Sequence, residues 1–219
     1  MKFPDRRQAG AELGVRLRDE LDDTPTLVLG LPRGGVPVAA EVADAMGAAL
    51  DVFVVRKLGV PGQRELAMGA IAPGGVRVRN DDVISTLRLS DAVVDAVARE
   101  EQVELERRER AYRSERAPVA PAGRRIILVD DGLATGATMK AALAAVQAQG
   151  ATDVVIAVPT GARQTCAELA LGGATVVCLS QPEPFHAVGL SYVDFSETTD
   201  DEVRDLLRGR TQPDGQTMR

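Results

Sequence analysis

Four consecutive apolar residues, Ile126 to Val129, run without polar alternation into two adjacent carboxylates, Asp130 and Asp131, and then into the stretch Gly132 to Thr138, beyond which a helical pattern begins. An apolar run of this kind suits a central parallel strand covered on both faces. In an open parallel sheet the ligand binds beyond the carboxyl ends of the strands, so the two acids and the turn after them stand at the functional edge. Ala134, Thr135, Gly136, Ala137 and Thr138 can turn their backbone N–H groups towards a phosphate; Gly136 permits close main-chain approach, and the two threonines add hydroxyls at the helix start. Asp130 and Asp131 are acceptor groups that would repel a phosphate. They suit vicinal hydroxyls, or a Mg²⁺ held through water. A ribose 5-phosphate satisfies both halves. There is no Gly-Lys-Ser/Thr of a Walker loop, and Gly132 and Gly136 do not form G-x-G-x-x-G.

Elsewhere the pattern alternates strands and helices. Ala9, Leu13, Leu17 and Leu21 recur among charges and predict an amphipathic helix over 5–21. Residues 26–30 read as a strand, 31–35 as a turn and 36–46 as a helix closed by Gly47. In that turn Pro32 fixes one φ, Gly34 and Gly35 free the backbone, and Arg33 supplies a fixed charge, a combination suited to a diphosphate. A strand over 51–55 ends in Arg56 and Lys57, two cations at the crevice edge. The connection 58–75, with Gly59, Pro61, Gly62 and Glu65, reads as a long loop and a candidate lid. Residues 76–84 predict paired strands split by Asn80-Asp81-Asp82. A long helix follows from Ser90 to about Ser114, with Glu104/Arg108, Glu106/Arg110 and Glu109/Arg113 four residues apart. It carries at least as many acids as bases, which favours a solvated helix over the sheet or across a homodimer interface over a nucleic-acid surface. Residues 117–123 read as a linker. After the helix that begins at Met139 come a strand over 153–158, a turn in which Thr160 and Gly161 line the crevice, a helix over 163–170 and a strand over 175–179. The alternation predicts a parallel sheet with right-handed crossovers.

The run of four apolar residues, Asp130-Asp131, two further residues and Ala134-Thr-Gly-Ala-Thr138 resembles, without a gap, the phosphoribosyl pyrophosphate (PRPP) motif of type I phosphoribosyltransferases. The wider resemblance covers about residues 26–180. It implies an α/β fold, a Rossmann-like parallel sheet flanked by helices, with a small hood drawn here from 1–22, 85–120 and 181–196. One domain over 1–208 and a polar, disordered tail over 209–219 are expected. The implied chemistry is displacement of pyrophosphate from C1 of PRPP by a ring nitrogen of a small base. In it Asp130 and Asp131 hold the ribose hydroxyls and, through water, Mg²⁺; residues 134–138 hold the 5-phosphate; Arg33, Gly34 and Gly35, with Arg56 and Lys57, hold pyrophosphate; Glu65 and Thr160 are further substrate contacts. Where hypoxanthine-guanine enzymes carry an acid before Thr-Gly this chain has Ala134, as adenine enzymes do. The proposed lid has neither the lysine nor the histidine of orotate enzymes. The chain thus looks more like bacterial phosphoribosyltransferases of unassigned acceptor. The same fold also serves non-catalytic PRPP- or nucleotide-sensing regulators.

Composition narrows the partners. A formal charge of −6 disfavours nucleic acid and anionic membranes, and no signal-peptide core or spanning stretch is visible, so a cytoplasmic protein is expected. Cys166 and Cys178 lack metal spacing, and the single His in the chain argues against a Cys/His zinc site.

Overall fold

The computed structural model describes residues 2–113 and 123–208; most of the expected linker and the whole 209–219 tail lie outside them. In chain order the elements are α1 (Arg6–Glu20), β1 (Thr26–Gly30), α2 (Gly35–Met46), β2 (Ala49–Val52), β3 (Arg56–Val60), β4 (Gln63–Ala72), β5 (Val76–Arg79), α3 (Asp81–Thr86), α4 (Asp91–Arg113), β6 (Arg125–Val129), α5 (Ala137–Ala148), β7 (Val154–Thr160), α6 (Arg163–Leu171), β8 (Thr175–Ser180) and α7 (Asp200–Arg208).

Five strands form a parallel sheet in the order β2-β1-β6-β7-β8. Successive residues of a strand point to opposite faces, and the core divides accordingly. Val28, Val52, Ile127, Val129 and Val155 pack with Leu13 and Leu17 of α1, Val38 and Val42 of α2 and Leu207 of α7. Leu27, Leu29, Ile126, Leu128 and Ile156 pack with Met139, Leu143 and Val146 of α5 and Leu169 of α6. This two-sided cover is why β6 has no polar alternation. α1 lies close against α2 because its facing positions are glycines: a Cβ at Gly10 would stand 2.7 Å from the Val38 carbonyl oxygen, and one at Gly14 2.6 Å from Ala45 Cβ. The start of α1 is thereby fixed relative to the start of α2.

Three expectations are corrected. The 58–75 connection is no loop. It is most of an antiparallel sheet in the order β3-β4-β5, in which Leu58, Val60, Met68, Ala70, Ile71 and Ala72 are buried. Its glycines misled because two of them mark close backbone approach inside strands: a Cβ at Gly59 would lie 2.8 Å from the Arg64 carbonyl oxygen, and one at Gly69 2.4 Å from that of Val78. The expected strand over 51–55 is shorter and earlier, ending at Val52. Residues 80–84 are not a strand: Asn80 caps α3, its side chain accepting the Val83 N–H at 3.3 Å, and Asp81 and Asp82 occupy the positive end of the helix dipole. Asn80→Ala is therefore expected to cost about 1 kcal/mol, read as a lower urea midpoint at unchanged m. An unmoved midpoint would show that the cap adds nothing.

The long helix is present as α4. It buries Val94, Ala98, Leu105 and Tyr112 and places Arg113 on the buried Asp51, 3.1 Å away. Among the described residues no helix is long and apolar enough to cross a membrane.

Candidate active site

Asp130 and Asp131 follow directly on β6, and the turn after them hangs between β7 and α5. Leu133 donates its N–H to the Thr160 carbonyl oxygen and accepts from the Ala162 N–H, at 2.9 and 2.8 Å. Gly136 precedes α5 with φ +67°, a left-handed conformation that glycine adopts at no steric cost. A side chain there would also meet Thr165 Cγ2 at 2.5 Å, and Thr165 donates its hydroxyl to the Ala134 carbonyl oxygen at 2.7 Å. The start of α6 thus braces the turn from behind. Ala134, Thr135 and Thr138 face solvent, Ala137 is half-buried and Gly136 is buried. The first N–H groups of α5 have no partner within the helix and are aimed where an anion would sit.

The 32–35 turn meets the acids from the side. Leu31 donates to the Val129 carbonyl oxygen at 2.9 Å, and the Pro32–Arg33 peptide is cis. Gly34 adopts an ordinary right-handed conformation, φ −60° and ψ −31°, so backbone freedom is not what it provides. Space is. A Cβ at Gly34 would lie 2.0 Å from Asp131 Oδ2, and one at Gly35 2.6 Å from the Val129 carbonyl oxygen. Arg33, on the same turn, is paired with Glu197 and lies 3.9 Å from Asp200.

Each carboxylate of the Asp pair has one oxygen engaged by another residue. Asp130 Oδ1 accepts the Asp131 N–H at 2.9 Å, and Asp131 Oδ2 accepts Arg6 Nε–H at 2.9 Å. Burial, and next the Asp131 charge, push the Asp130 carboxyl well above the usual carboxylate range. Burial raises Asp131 as well, against the opposing pull of Arg6. Two adjacent carboxylates, of which Asp131 is paired with Arg6, form a site that calls for hydrogen-bond donors or a cation.

Other expected residues are placed differently. Thr160 is fully buried and does not line a crevice; its hydroxyl is 2.9 Å from that of Ser191. This corrects its reading as a substrate contact, since a threonine at the end of a strand can face the body of the protein as readily as the ligand. Arg56 pairs with Glu101 of α4 at 2.5 Å. With Lys57 and Arg64 it lines a cleft of about 700 Å³ between β3 and α4 that includes no residue of 126–138. Lys57 also borders a second cleft, shared with Ala137 and Lys140 of α5. Glu65 falls on β4, and its side chain lies outside the described residues. Cys166 and Cys178 are free thiols beside Gly161, and among the described residues no group of three or more His, Cys, Asp or Glu is placed to hold a metal.

A roof over the acids comes from two of the segments expected as hood, 1–22 and 181–196; what sequence reasoning missed is which of their residues meet. Residues 3–4 and 191–194 pair: Phe3 donates to the Ser191 carbonyl oxygen at 2.8 Å, Val193 to that of Phe3 at 2.8 Å and Asp194 to that of Pro4 at 2.9 Å. Tyr192 donates its hydroxyl to the Asp131 carbonyl oxygen at 2.6 Å, and its ring stacks on Phe195 with centroids 5.1 Å apart. Arg6 completes the roof. Nothing in the first helix distinguishes it from the neighbouring charges Arg7 and Arg16.

Three comparisons bear on this geometry. The family model described as a phosphoribosyl transferase domain matches residues 3–180. Two Mycobacterium tuberculosis proteins, each provisionally named a phosphoribosyl transferase, are 52% identical over 201 residues, which is 92% of this chain and 45% of theirs. The chain thus spans about half the length of the curated relatives it matches. The solved structure of TT1426 from Thermus thermophilus has a TM-score of 0.87 at 43% identity, covering 96% of this chain and 99% of that one. A Neisseria gonorrhoeae protein solved with bound ppGpp shares the fold, with a TM-score of 0.51 at 13% identity over 95% of this chain and 98% of that one.

Proposed function

Because the chain belongs to the phosphoribosyl transferase domain family, we propose that it moves the 5-phosphoribosyl group of PRPP to a ring nitrogen of a small base-type acceptor, releasing pyrophosphate in a Mg²⁺-dependent reaction. The observation that carries this reading is the division of labour after β6: two carboxylates, each with one oxygen that no other described residue engages, stand beside an exposed turn at the start of α5. Donor hydroxyls belong on the first and an anion on the second, which is the chemistry of a ribose 5-phosphate.

In this reaction the bond from C1 to the pyrophosphate oxygen breaks with its electron pair leaving on pyrophosphate, the bond from C1 to the acceptor nitrogen forms, and the ring nitrogen loses its proton. Positive charge builds on the ribose in the transition state. Asp130 and Asp131 orient the hydroxyls and lie near that charge, where preorganised groups act most strongly. The N–H groups of 134–138 hold the 5-phosphate and fix C1 in place. Arg33, exchanging Glu197 for the ligand, neutralises pyrophosphate from the side of α2, and Lys57 of β3 is assigned the opposite side. The donor set fits Mg²⁺: two adjacent carboxylates suit an ion that keeps most of its waters and takes substrate oxygens, not an all-protein cage. Asp130 and Asp131 would hold such an ion through its waters, and it would supply charge to offset the leaving group.

The test is purified protein with Mg²⁺, PRPP and a panel of purines, pyrimidines and related heterocycles. Pyrophosphate release that depends on one of them is expected, and so is a rise in melting temperature with PRPP. No thermal shift at millimolar PRPP would remove the PRPP site. One observation favours a second, non-catalytic reading as a PRPP- or nucleotide-sensing protein: Arg33 and Arg56 are both paired with the protein's own acids, Glu197 and Glu101. A thermal shift without turnover for any acceptor would decide for it.

A further inference from the structure

We propose that Arg6 is a positioning residue of the ribose site: by taking Asp131 Oδ2 it leaves the acid pair one acceptor oxygen per carboxylate, matched to two vicinal hydroxyls. The inference rests on the phosphoribosyl reading above and adds to it a residue from outside the 126–138 motif.

Besides a more distant approach to the Tyr192 ring, 6.0 Å from its centroid, three contacts hold the Arg6 guanidinium. Nε donates to Asp131 Oδ2 at 2.9 Å, a terminal nitrogen donates to the Ser196 carbonyl oxygen at 2.6 Å, and the guanidinium carbon stands 4.0 Å from the centroid of the Phe195 ring. Its side chain is 12% exposed and that of Asp131 16%. The pair is therefore unlike the exposed ion pairs that contribute little. The base of the side chain is fixed too. Arg6 is the first residue of α1, whose N-cap Asp5 accepts the Gln8 N–H at 2.8 Å, and α1 is seated on α2 through Gly10 and Gly14. α2 in turn begins at the glycines that abut the acid pair.

A carboxylate rotates easily about its terminal bond, so an exposed Asp131 would offer its two oxygens in many directions. A planar, delocalised fork gripped on three sides removes that freedom in a way an ammonium cannot. Asp130 is held independently by the Asp131 N–H. The result is a pair of oxygens, Asp130 Oδ2 and Asp131 Oδ1, with a set separation before the sugar arrives. Prepaid orientation of this kind appears as affinity for the group it fits.

The experiment measures binding of ribose 5-phosphate, 2-deoxyribose 5-phosphate and inorganic pyrophosphate by calorimetry, in Mg²⁺, for the wild type and Arg6→Gln. The wild type should prefer the ribose compound, because the deoxy sugar leaves one carboxylate oxygen without its donor. Arg6→Gln should reduce that preference by roughly tenfold or more, the scale of a hydrogen bond to a charged group, with pyrophosphate affinity unchanged. Arg6→Lys, which restores the charge without the fork, should recover part of it. If Arg6→Gln does not fold, Arg6→Met, which keeps an unbranched apolar side chain beside Phe195, is read in the same way. An undiminished preference without the guanidinium would overturn the proposal, and so would a parallel loss of all three ligands, which marks a structural role only. A wild type that binds neither sugar phosphate would overturn the phosphoribosyl reading beneath it.

Discussion

Asp130→Asn should lower kcat/KM by about 10²–10³-fold, the scale seen when one preorganised charge-stabilising group is lost, and should at the same time raise the melting temperature of the metal-free protein. The two effects have one source. Asp130 is half-buried beside a second carboxylate, and the loss of solvent with the neighbouring charge makes its ionised form unfavourable until a ligand or cation arrives. Its folded-state pKa is raised, so the protein takes up a proton on folding. The penalty for ionisation is absent at low pH and grows as pH rises above the ordinary carboxylate value. The stabilisation by Asn should accordingly be largest at neutral pH and vanish near about pH 4. The amide oxygen can still accept the Asp131 N–H, so the local fold is kept. Thermal unfolding in EDTA at the two pH values, beside steady-state kinetics with the acceptor found in the pyrophosphate screen, checks both halves. A variant destabilised at neutral pH would mean that the native carboxylate is ionised and satisfied there.

Gly35→Ala sets two effects against each other. Gly35 is the first residue of α2, and propensity alone favours alanine in a helix by about 0.5–1 kcal/mol. The new Cβ, however, would stand 2.6 Å from the Val129 carbonyl oxygen and 2.8 Å from Asp130 Cα, both backbone atoms of the sheet and its functional edge. Neither can swing aside as a side chain could. Overpacking of this kind costs about 1–3 kcal/mol, and sterics should win. The strand end that carries the acids must also move, so PRPP binding should fall below detection. Gly34→Ala should behave differently, because its Cβ would meet the end of a side chain, Asp131 Oδ2: binding is lost with little change in stability. Urea unfolding and thermal shift with PRPP separate the two. A Gly35→Ala protein that is more stable and still binds PRPP would refute the close-approach account.

The parallel sheet and the acid-and-turn motif were legible in the sequence because their signals are local. Uniform burial of β6 and β7 appears as unbroken apolar runs, and the left-handed residue at the start of α5 appears as a glycine. What failed depended on partners far along the chain. Gly59 and Gly69 are the exception, since the strands they approach are their hairpin neighbours: they looked like loop residues because nothing in the pattern shows a strand passing too close for a Cβ. Thr160 was assigned to the crevice because its position at a strand end is visible and its partner, Ser191, is not. Gly34 and Gly35 were expected to supply backbone freedom, but what they provide is room beside Asp131 and Val129. Arg6 and Glu197 gave no signal at all: an arginine in a charged helix and a glutamate in an irregular segment acquire meaning only when the fold brings Asp131 and Arg33 to them.

Under the proposed phosphoribosyl transfer, with the hood of 1–22 and 181–196 taken as the acceptor's side of the site, the pairing of residues 3–4 with 191–194 has a consequence for changing the acceptor. The surface above the acids is woven from two pieces of chain nearly the whole domain apart, joined main chain to main chain and clasped by Arg6 against Phe195. Transplanting residues 188–197 from a relative onto this scaffold would bring new side chains but leave the native first turn of α1 to receive them. A new selectivity is therefore a trait of two loci, and libraries or chimaeras that vary one locus while holding the other constant will sample mostly mismatched halves.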